Sequence, residues 1–183
     1  MDNGAGSYRR FLDGDNEGFV EIVRDYKDGL ILYLNSIVTD ITEAEDLAED
    51  TFVKLGVRRP VFSGKSSFRT WLYAIGRNVA IDHLRKESRH RTEPIDRVDG
   101  AEDIETLEDA YIREEQKIGV HRAMAALKPE YRQVLWLTYF EGFSSRETAM
   151  IMRKTVHGIE TLSYRARQSL KKVLEEGSMY EII

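Results

Sequence analysis

Apolar residues in this chain recur at intervals of three and four, and nowhere do they alternate with polar ones long enough to form a strand. That period belongs to one face of an α-helix. Phe19, Ile22, Val23, Tyr26, Leu30, Leu34 and Ile37 form the first such stripe, and Gly29 within it predicts a bend or break. Thr42 with Glu45 three residues on reads as a capping box opening a helix that carries Ala44, Leu47, Ala48, Phe52 and Leu55. Gly56, Pro60 and Gly64 mark a loop, after which Ser66 or Ser67 caps a helix reaching about Arg89. Four further helical blocks follow at about Ile118–Leu127, Pro129–Phe140, Ser145–Met152 and Val156–Leu174. Between the two sets the period fades across residues 92–115, which contain Pro94 and Gly100. The expected fold is all-α: two small helical domains, 1–91 and 116–183, joined by a flexible acidic linker, 92–115, that turns helical from about Glu105.

Charge divides the chain at the same places. Residues 1–64 hold 7 Lys and Arg against 13 Asp and Glu, and residues 92–115 hold 2 against 10. Residues 65–91 reverse this with 7 against 2, and residues 153–172 with 6 against 1. Two basic stretches inside a chain of net charge −5 imply two contacts with a polyanion. There is no cysteine, so disulfides and thiolate metal sites are excluded. No apolar run approaches the roughly 20 residues of a membrane span, and the first residues lack the apolar core of a secretory signal. A cytoplasmic location is expected.

The second basic stretch has the layout of a helix-turn-helix. Glu141 and Gly142 close one helix, Ser144 or Ser145 caps a short one, and a polar turn at 153–155 leads into another. That last helix turns Ile159, Leu162, Ala166 and Leu170 inward. In such a unit the start of the second helix reaches base edges in the major groove while cations nearby hold phosphates. Thr155, His157, Glu160 and Thr161 are the groove candidates, and Lys154, Arg165, Arg167, Lys171 and Lys172 the phosphate candidates. A helical hairpin with a basic outer face would look the same.

The first basic stretch, "KSSFRTWLYAIGRNVAIDHLRKESRHR", mixes cations with aromatic rings. Trp71, Ile75, Val79 and Leu84 supply a buried side; Arg69, Arg77, Asn78, Asp82, Arg85 and Arg89 fall mainly elsewhere. Guanidinium groups bind phosphate and exposed rings stack on unpaired bases. The preceding loop, Arg58 to Ser67, suits a base pulled out of its stack. Core packing is the competing role for Trp71, and a local pair one turn apart is the competing role for Asn78 and Asp82.

"TEAEDLAEDTFVKL", "FSGKSSFRTWLYAIGRNVAIDHLRKESR" and "LKPEYRQVLWLTYFEGFSSRETAMIMRKT…YRARQSLKK" together resemble the extracytoplasmic-function class of bacterial sigma factors, in order, spacing and intervening acidic linker. The resemblance covers about Phe19–Arg89 and Ile118–Leu174. It implies that 1–91 is the second region of the sigma-70 family and 116–183 the fourth, with the third replaced by the linker. It implies that Asp46, Glu49, Asp50 and Phe52 dock on the clamp helices of the largest subunit of core RNA polymerase. Phe62, Lys65, Ser66, Phe68, Arg69 and Trp71 would capture a flipped base of the minus-ten element. Arg77, Asn78, Asp82 and Arg85 would lie along the DNA where it melts. Lys154, Thr155, His157, Glu160, Thr161, Arg165 and Arg167 would read the minus-thirty-five element. The linker would thread the polymerase channel towards the RNA exit path. An anti-sigma protein is the further partner implied. Where members of the class often carry Thr-Val-Lys-Ser-Arg, this chain has Gly158-Ile159-Glu160-Thr161-Leu162, so its promoter sequence does not transfer from them; Glu160 can accept from a cytosine amine.

Other functions make different demands. A stand-alone helix-turn-helix regulator would bind duplex DNA without polymerase and use its first domain for dimerisation or sensing. An enzyme would need converging catalytic groups, yet His83, His90, His121 and His157 are scattered and no phosphate loop is present. Asp46, Glu49 and Asp50 imitate a metal site but read as a partner-facing or solvated surface. No metal, cofactor or small-molecule substrate is expected.

Overall fold

A computed structural model describes the backbone of residues 3–90, 120 and 123–180, and the side chains of residues 3–89, 120 and 123–175. The described residues contain helices and connecting turns and no strand. Helix α1 spans Asn3–Leu12, α2 Asn16–Val38, α3 Ile41–Arg58 and α4 Phe68–His90. The second set is α5 (Pro129–Leu135), continued by a π-type turn (Trp136–Phe140), then α6 (Ser145–Met152) and α7 (Val156–Tyr180). The acidic linker, and much of the helix expected at Ile118–Leu127, lie outside the described residues.

Local chemistry explains most boundaries. Asp15 caps α2 by accepting from the Glu17 N–H. Asp40, two residues earlier than the Thr42 expected from the sequence, caps α3 by accepting from the Glu43 N–H at 2.9 Å. Aspartate wins because Ile41 and Thr42 already have helical geometry, so the orphan N–H groups begin sooner. Ser67 rather than Ser66 starts α4, its hydroxyl accepting from the Thr70 N–H at 3.1 Å. Ser144 and Glu147 form a complete capping box on α6.

Helix α1 has no counterpart in the sequence-based expectation. Its short stripe of Tyr8 and Phe11 is buried against α2 and α4, and one glycine makes the approach possible. A Cβ on Gly4 would collide with the Phe68 ring and the Tyr26 hydroxyl. Gly29 was expected to bend or break α2, yet the helix is continuous through it. A Cβ there would lie 2.5 Å from the Tyr73 Oη and 3.3 Å from a Glu141 carboxylate oxygen. The residue serves close packing, not a bend.

The two helical sets share one apolar interior. Ile22, Leu30, Leu34, Leu47, Leu55, Phe68 and Leu72 fill the first part, and Leu127, Leu135, Leu137, Phe143, Ile151 and Ile159 the second. Helix α6 lies on α4, and α5 lies on α2. Helix α4 is therefore covered on two sides. Its deepest residues are Phe68, Leu72, Tyr73 and Ala80, whereas the expected stripe of Trp71, Ile75, Val79 and Leu84 is only half-buried. A single-stripe reading assumes one packed face, and here there are two.

Arg132 joins the sets at their base. It is buried, and burial lowers its pKa. Its Nε donates to the Ser36 carbonyl at 2.9 Å, and its Nη1 to the Ala125 and Leu127 carbonyls at 3.0 Å each. Ser36 lies in the last turn of α2, where carbonyls lack helical partners and a cation is favoured. Arg132→Ala should cost about 2–3 kcal/mol, because a charged donor is lost and buried acceptors are left open. Arg132→Lys should recover only part, since lysine lacks the planar fork. Urea unfolding midpoints of the three proteins would check this order.

Candidate functional site

The surface of α3 comes first. Asp46, Glu49 and Asp50 are exposed along one side of the helix, and Val53 and Val57 continue that side at 59% and 77% exposure. Exposed valines set among carboxylates make an acidic and apolar strip suited to a basic helical partner. The sequence-based reading missed these valines; their signal is an apolar residue one turn beyond each acid. Phe52 requires correction: it is 6% exposed and packs in the core, so it supports the strip from behind. A groove of 380 Å³ between α3 and α4, lined by Asp50, Val53, Val57, Asp82, His83 and Lys86 among others, borders it. At its end the His83 Nε2 lies 2.6 Å from Glu43, tying α3 to α4, and Glu87 brings a third ligand-type atom within 4.8 Å of those two. Burial pushes the Glu43 carboxyl above its ordinary range against the pull of His83. The sequence-based reading did not bring these three residues together.

The loop after α3 is built on aromatic rings. Arg59 ends α3 in the left-handed region (φ 41°) and sets its guanidinium over the Phe11 ring at 4.7 Å. The Tyr8 hydroxyl donates to the Pro60 carbonyl at 2.7 Å. Tyr8 and Phe68 are buried beneath, with ring centroids 5.5 Å apart. Phe62 and Trp71 lie half-exposed above them, 5.1 Å apart. Phe68 also requires correction: at 0% exposure it is a floor for this recess and touches no solvent-borne ligand. Lys65 is exposed on the loop and Ser66 half-exposed. The arrangement offers flat apolar rings beside a cation, which suits an unstacked base and its phosphate.

Along α4 the expected residues divide. Asp82 and Arg85 are exposed and pair at 3.6 Å, and Asn78 is half-buried. Arg69 and Arg77 instead meet the second helical set. Arg69 pairs with the Glu141 carboxylate, donates to the Glu141 carbonyl at 2.8 Å, and lies over the Phe143 ring at 4.3 Å. The Arg77 Nε donates to the Gln133 side-chain oxygen at 3.1 Å. Two neighbours not expected from sequence join them. The Tyr73 hydroxyl donates to Glu141 at 2.8 Å, and the Thr70 hydroxyl to Glu147 at 3.2 Å. Burial raises the Tyr73 pKa far above the ordinary phenol range, helped by the Glu141 charge.

The helix-turn-helix has the expected form. Arg153 closes α6 in the left-handed region (φ 54°), and α7 begins at Val156. Ile159 and Ala166 are fully buried, and Leu162 and Leu170 pack against the core. His157, Glu160, Arg165 and Arg167 are exposed and Thr161 is half-exposed. The Thr155 hydroxyl accepts from the Gly158 N–H at 3.0 Å, so it caps the helix as well as facing outward. Lys154 is paired with Glu130 at 3.0 Å. Lys171 is exposed and lies 3.6 Å from Glu175.

Comparison with known proteins agrees with this architecture. The Sigma-70 region 2 family model matches residues 22–90, and the Sigma-70, region 4 model matches residues 118–170. The RNA polymerase sigma-H factor of Pseudomonas aeruginosa is 32% identical over 175 residues, covering 91% of each chain. The ECF RNA polymerase sigma factor SigW of Bacillus subtilis is 29% identical, covering 89% of this chain and 92% of the relative. Among solved structures, CnrH in complex with the cytosolic domain of CnrY has a TM-score of 0.65 at 24% identity, covering 95% of this chain and 96% of that one. RpoE in complex with the anti-sigma factor NepR from Bartonella quintana has a TM-score of 0.66 at 24% identity, covering 86% of this chain and 96% of that one. These two share the fold.

Helix-turn-helix, four-helix unit and matches together define a transcription initiation factor. The chain belongs to the extracytoplasmic-function class of the sigma-70 family. It is an alternative sigma factor, directing RNA polymerase to promoters for initiation.

Glu147 gives this site a pH dependence. Burial pulls its carboxyl upward, but bonds from the Ser144 hydroxyl and N–H, from Thr70, and the charge of Arg69 leave it below its ordinary range. Its stabilising contribution is therefore complete above the unfolded carboxyl's pKa of about 4.3 and is lost as pH falls through the lower folded value. Thermal unfolding between mildly acid and neutral pH should show a steeper acid loss for the parent chain than for Glu147→Gln.

Proposed function

We propose that the three surfaces divide the work of initiation. The strip of Asp46, Glu49, Asp50, Val53 and Val57 docks on the clamp helices of the polymerase's largest subunit, with Phe52 fixing its shape from within. The recess of Phe62 and Trp71, beside Lys65 and Ser66, takes an unpaired base of the minus-ten element. Arg69, Arg77, Asn78, Asp82 and Arg85 follow the strand as it melts. His157, Glu160 and Thr161, with Thr155 at the helix start, face the major groove of the minus-thirty-five element, and Lys154, Arg165 and Arg167 hold its phosphates. Residues 1–91 and 116–183 act as the two functional units, with 92–115 as the tether; the spans matched by the two region models support this division.

The observation that carries the reading is the pair of half-exposed rings over a closed aromatic floor, next to a cation and at the head of a basic helix. Strand opening by such a surface makes and breaks no covalent bond, so the chain acts as a binding subunit and not as an enzyme. It works where polymerase works, in the cytoplasm; no helix among the described residues is long and apolar enough to cross a membrane. An anti-sigma protein is the regulatory partner, a reading supported by the fold shared with CnrH and RpoE, each solved with such a protein or its like.

Run-off transcription with core polymerase and a random promoter library tests the assignment. The parent chain should yield transcripts sharing a two-part motif. Asp50→Arg should lower their amount more than tenfold with an unchanged circular dichroism spectrum. Trp71→Ala should reduce open-complex formation, read by permanganate footprinting, more than it reduces binding to polymerase. Duplex binding by the free chain, with no polymerase-dependent transcript, would instead favour a stand-alone regulator.

A further inference from the structure

We infer that Glu141 is an internal latch that closes the strand-binding face of α4 in the free chain while leaving the recognition helix open. The inference rests on the proposed role of α4 in binding the melted strand. Four successive polar positions of that helix are occupied by the second helical set. Arg69 and Tyr73 both meet the Glu141 carboxylate, Thr70 meets Glu147, and Arg77 meets Gln133. Two carboxylates thus stand where strand phosphates would stand. The Glu141 side chain is 9% exposed, and Phe143 covers the junction by packing edge-on against Tyr73 at 5.0 Å and beneath Arg69. On α7, by contrast, His157, Glu160, Arg165 and Arg167 face solvent. The free chain can approach duplex DNA through α7 but cannot lay a single strand along α4.

The latch is built to open. An ion pair removed from water returns little net stability, because desolvation offsets attraction. A strand phosphate, or a polymerase surface that separates the two sets, has only that small margin to overcome. Removing one member is different, since it strands a charge against Phe143 and Tyr73. Gly29 supplies a second, uncharged handle. Its missing Cβ is the space in which the Tyr73 hydroxyl and Glu141 meet, so alanine there pushes the junction apart while being the better helix former.

Because the chain has no cysteine, Gly6→Cys on α1 and Gln168→Cys on α7, both exposed, can carry a fluorescent pair in the full-length protein. Energy transfer reports closure. Anisotropy of a labelled single-stranded oligonucleotide pool, and of a random-sequence duplex, reports the two kinds of binding. Glu141→Gln and Gly29→Ala should each lower energy transfer and raise single-strand affinity at least tenfold, with duplex affinity changed less than twofold. Unchanged energy transfer in both variants would overturn the latch. So would a fall in energy transfer with no gain in single-strand affinity. Adding Arg69→Ala to Glu141→Gln separates the two readings. If the gained affinity survives without Arg69, closure stands and the strand-binding role given to Arg69 falls.

Discussion

The burial of α4 on two sides is the constraint on which the rest of this structure depends. Phe68, Leu72 and Ala80 face the first helical set, and Tyr73 turns towards Phe143 of the second. A helix sandwiched in this way cannot shift to suit one neighbour without disturbing the other, because close-packed interiors transmit displacement. It also forces polar groups into half-dry surroundings. Arg69, Thr70, Tyr73 and Arg77 must then find partners, and they find them on the opposing helices. Packing and electrostatics in this region are therefore one problem. The aromatic residues hold the helix in place, and the polar ones record which surface it currently faces.

The sequence was readable wherever a short-range rule operates. Helices α5 to α7 fall almost where spacing and capping residues put them, because Ser144 with Glu147 is a local device that needs no knowledge of the fold. The choice of cap for α3 went to Asp40 because two strong capping residues lie within three positions and only backbone geometry decides between them. Helix α1 was invisible for a different reason. Asn3–Leu12 contains two glycines and two adjacent arginines, and its stability comes from Tyr8 and Phe11 docking on helices far along the chain. Tertiary contact of that kind outweighs weak propensity.

The candidate site shows the same division. Charge and residue type marked Lys65, Trp71, Arg77, Arg165 and their neighbours, since these properties belong to each residue alone. Burial does not. Phe52 and Phe68 sit among polar residues in the sequence, and only the crossing of helices places one behind the acidic strip and the other under the recess. Glu141 carried no signal at all beyond closing a helix, because its meaning depends on Gly29 and Tyr73, more than sixty residues before it in sequence.

The π-type turn at Trp136–Phe140 has a consequence for how relatives of this chain can differ. Such a turn holds one residue more than an α-helical turn would, and it delivers the Glu141 N–H to the Trp136 carbonyl at 3.1 Å. Each residue of an α-helix advances the direction of the next by about 100°. Deleting a single residue here would restore a regular helix and swing everything downstream by that amount, carrying the carboxylate away from α4. A one-residue length change in this segment is therefore not a neutral loop adjustment. It acts as a phase control on the whole C-terminal half, by which a lineage could remake the junction between the two helical sets without altering a residue on either face.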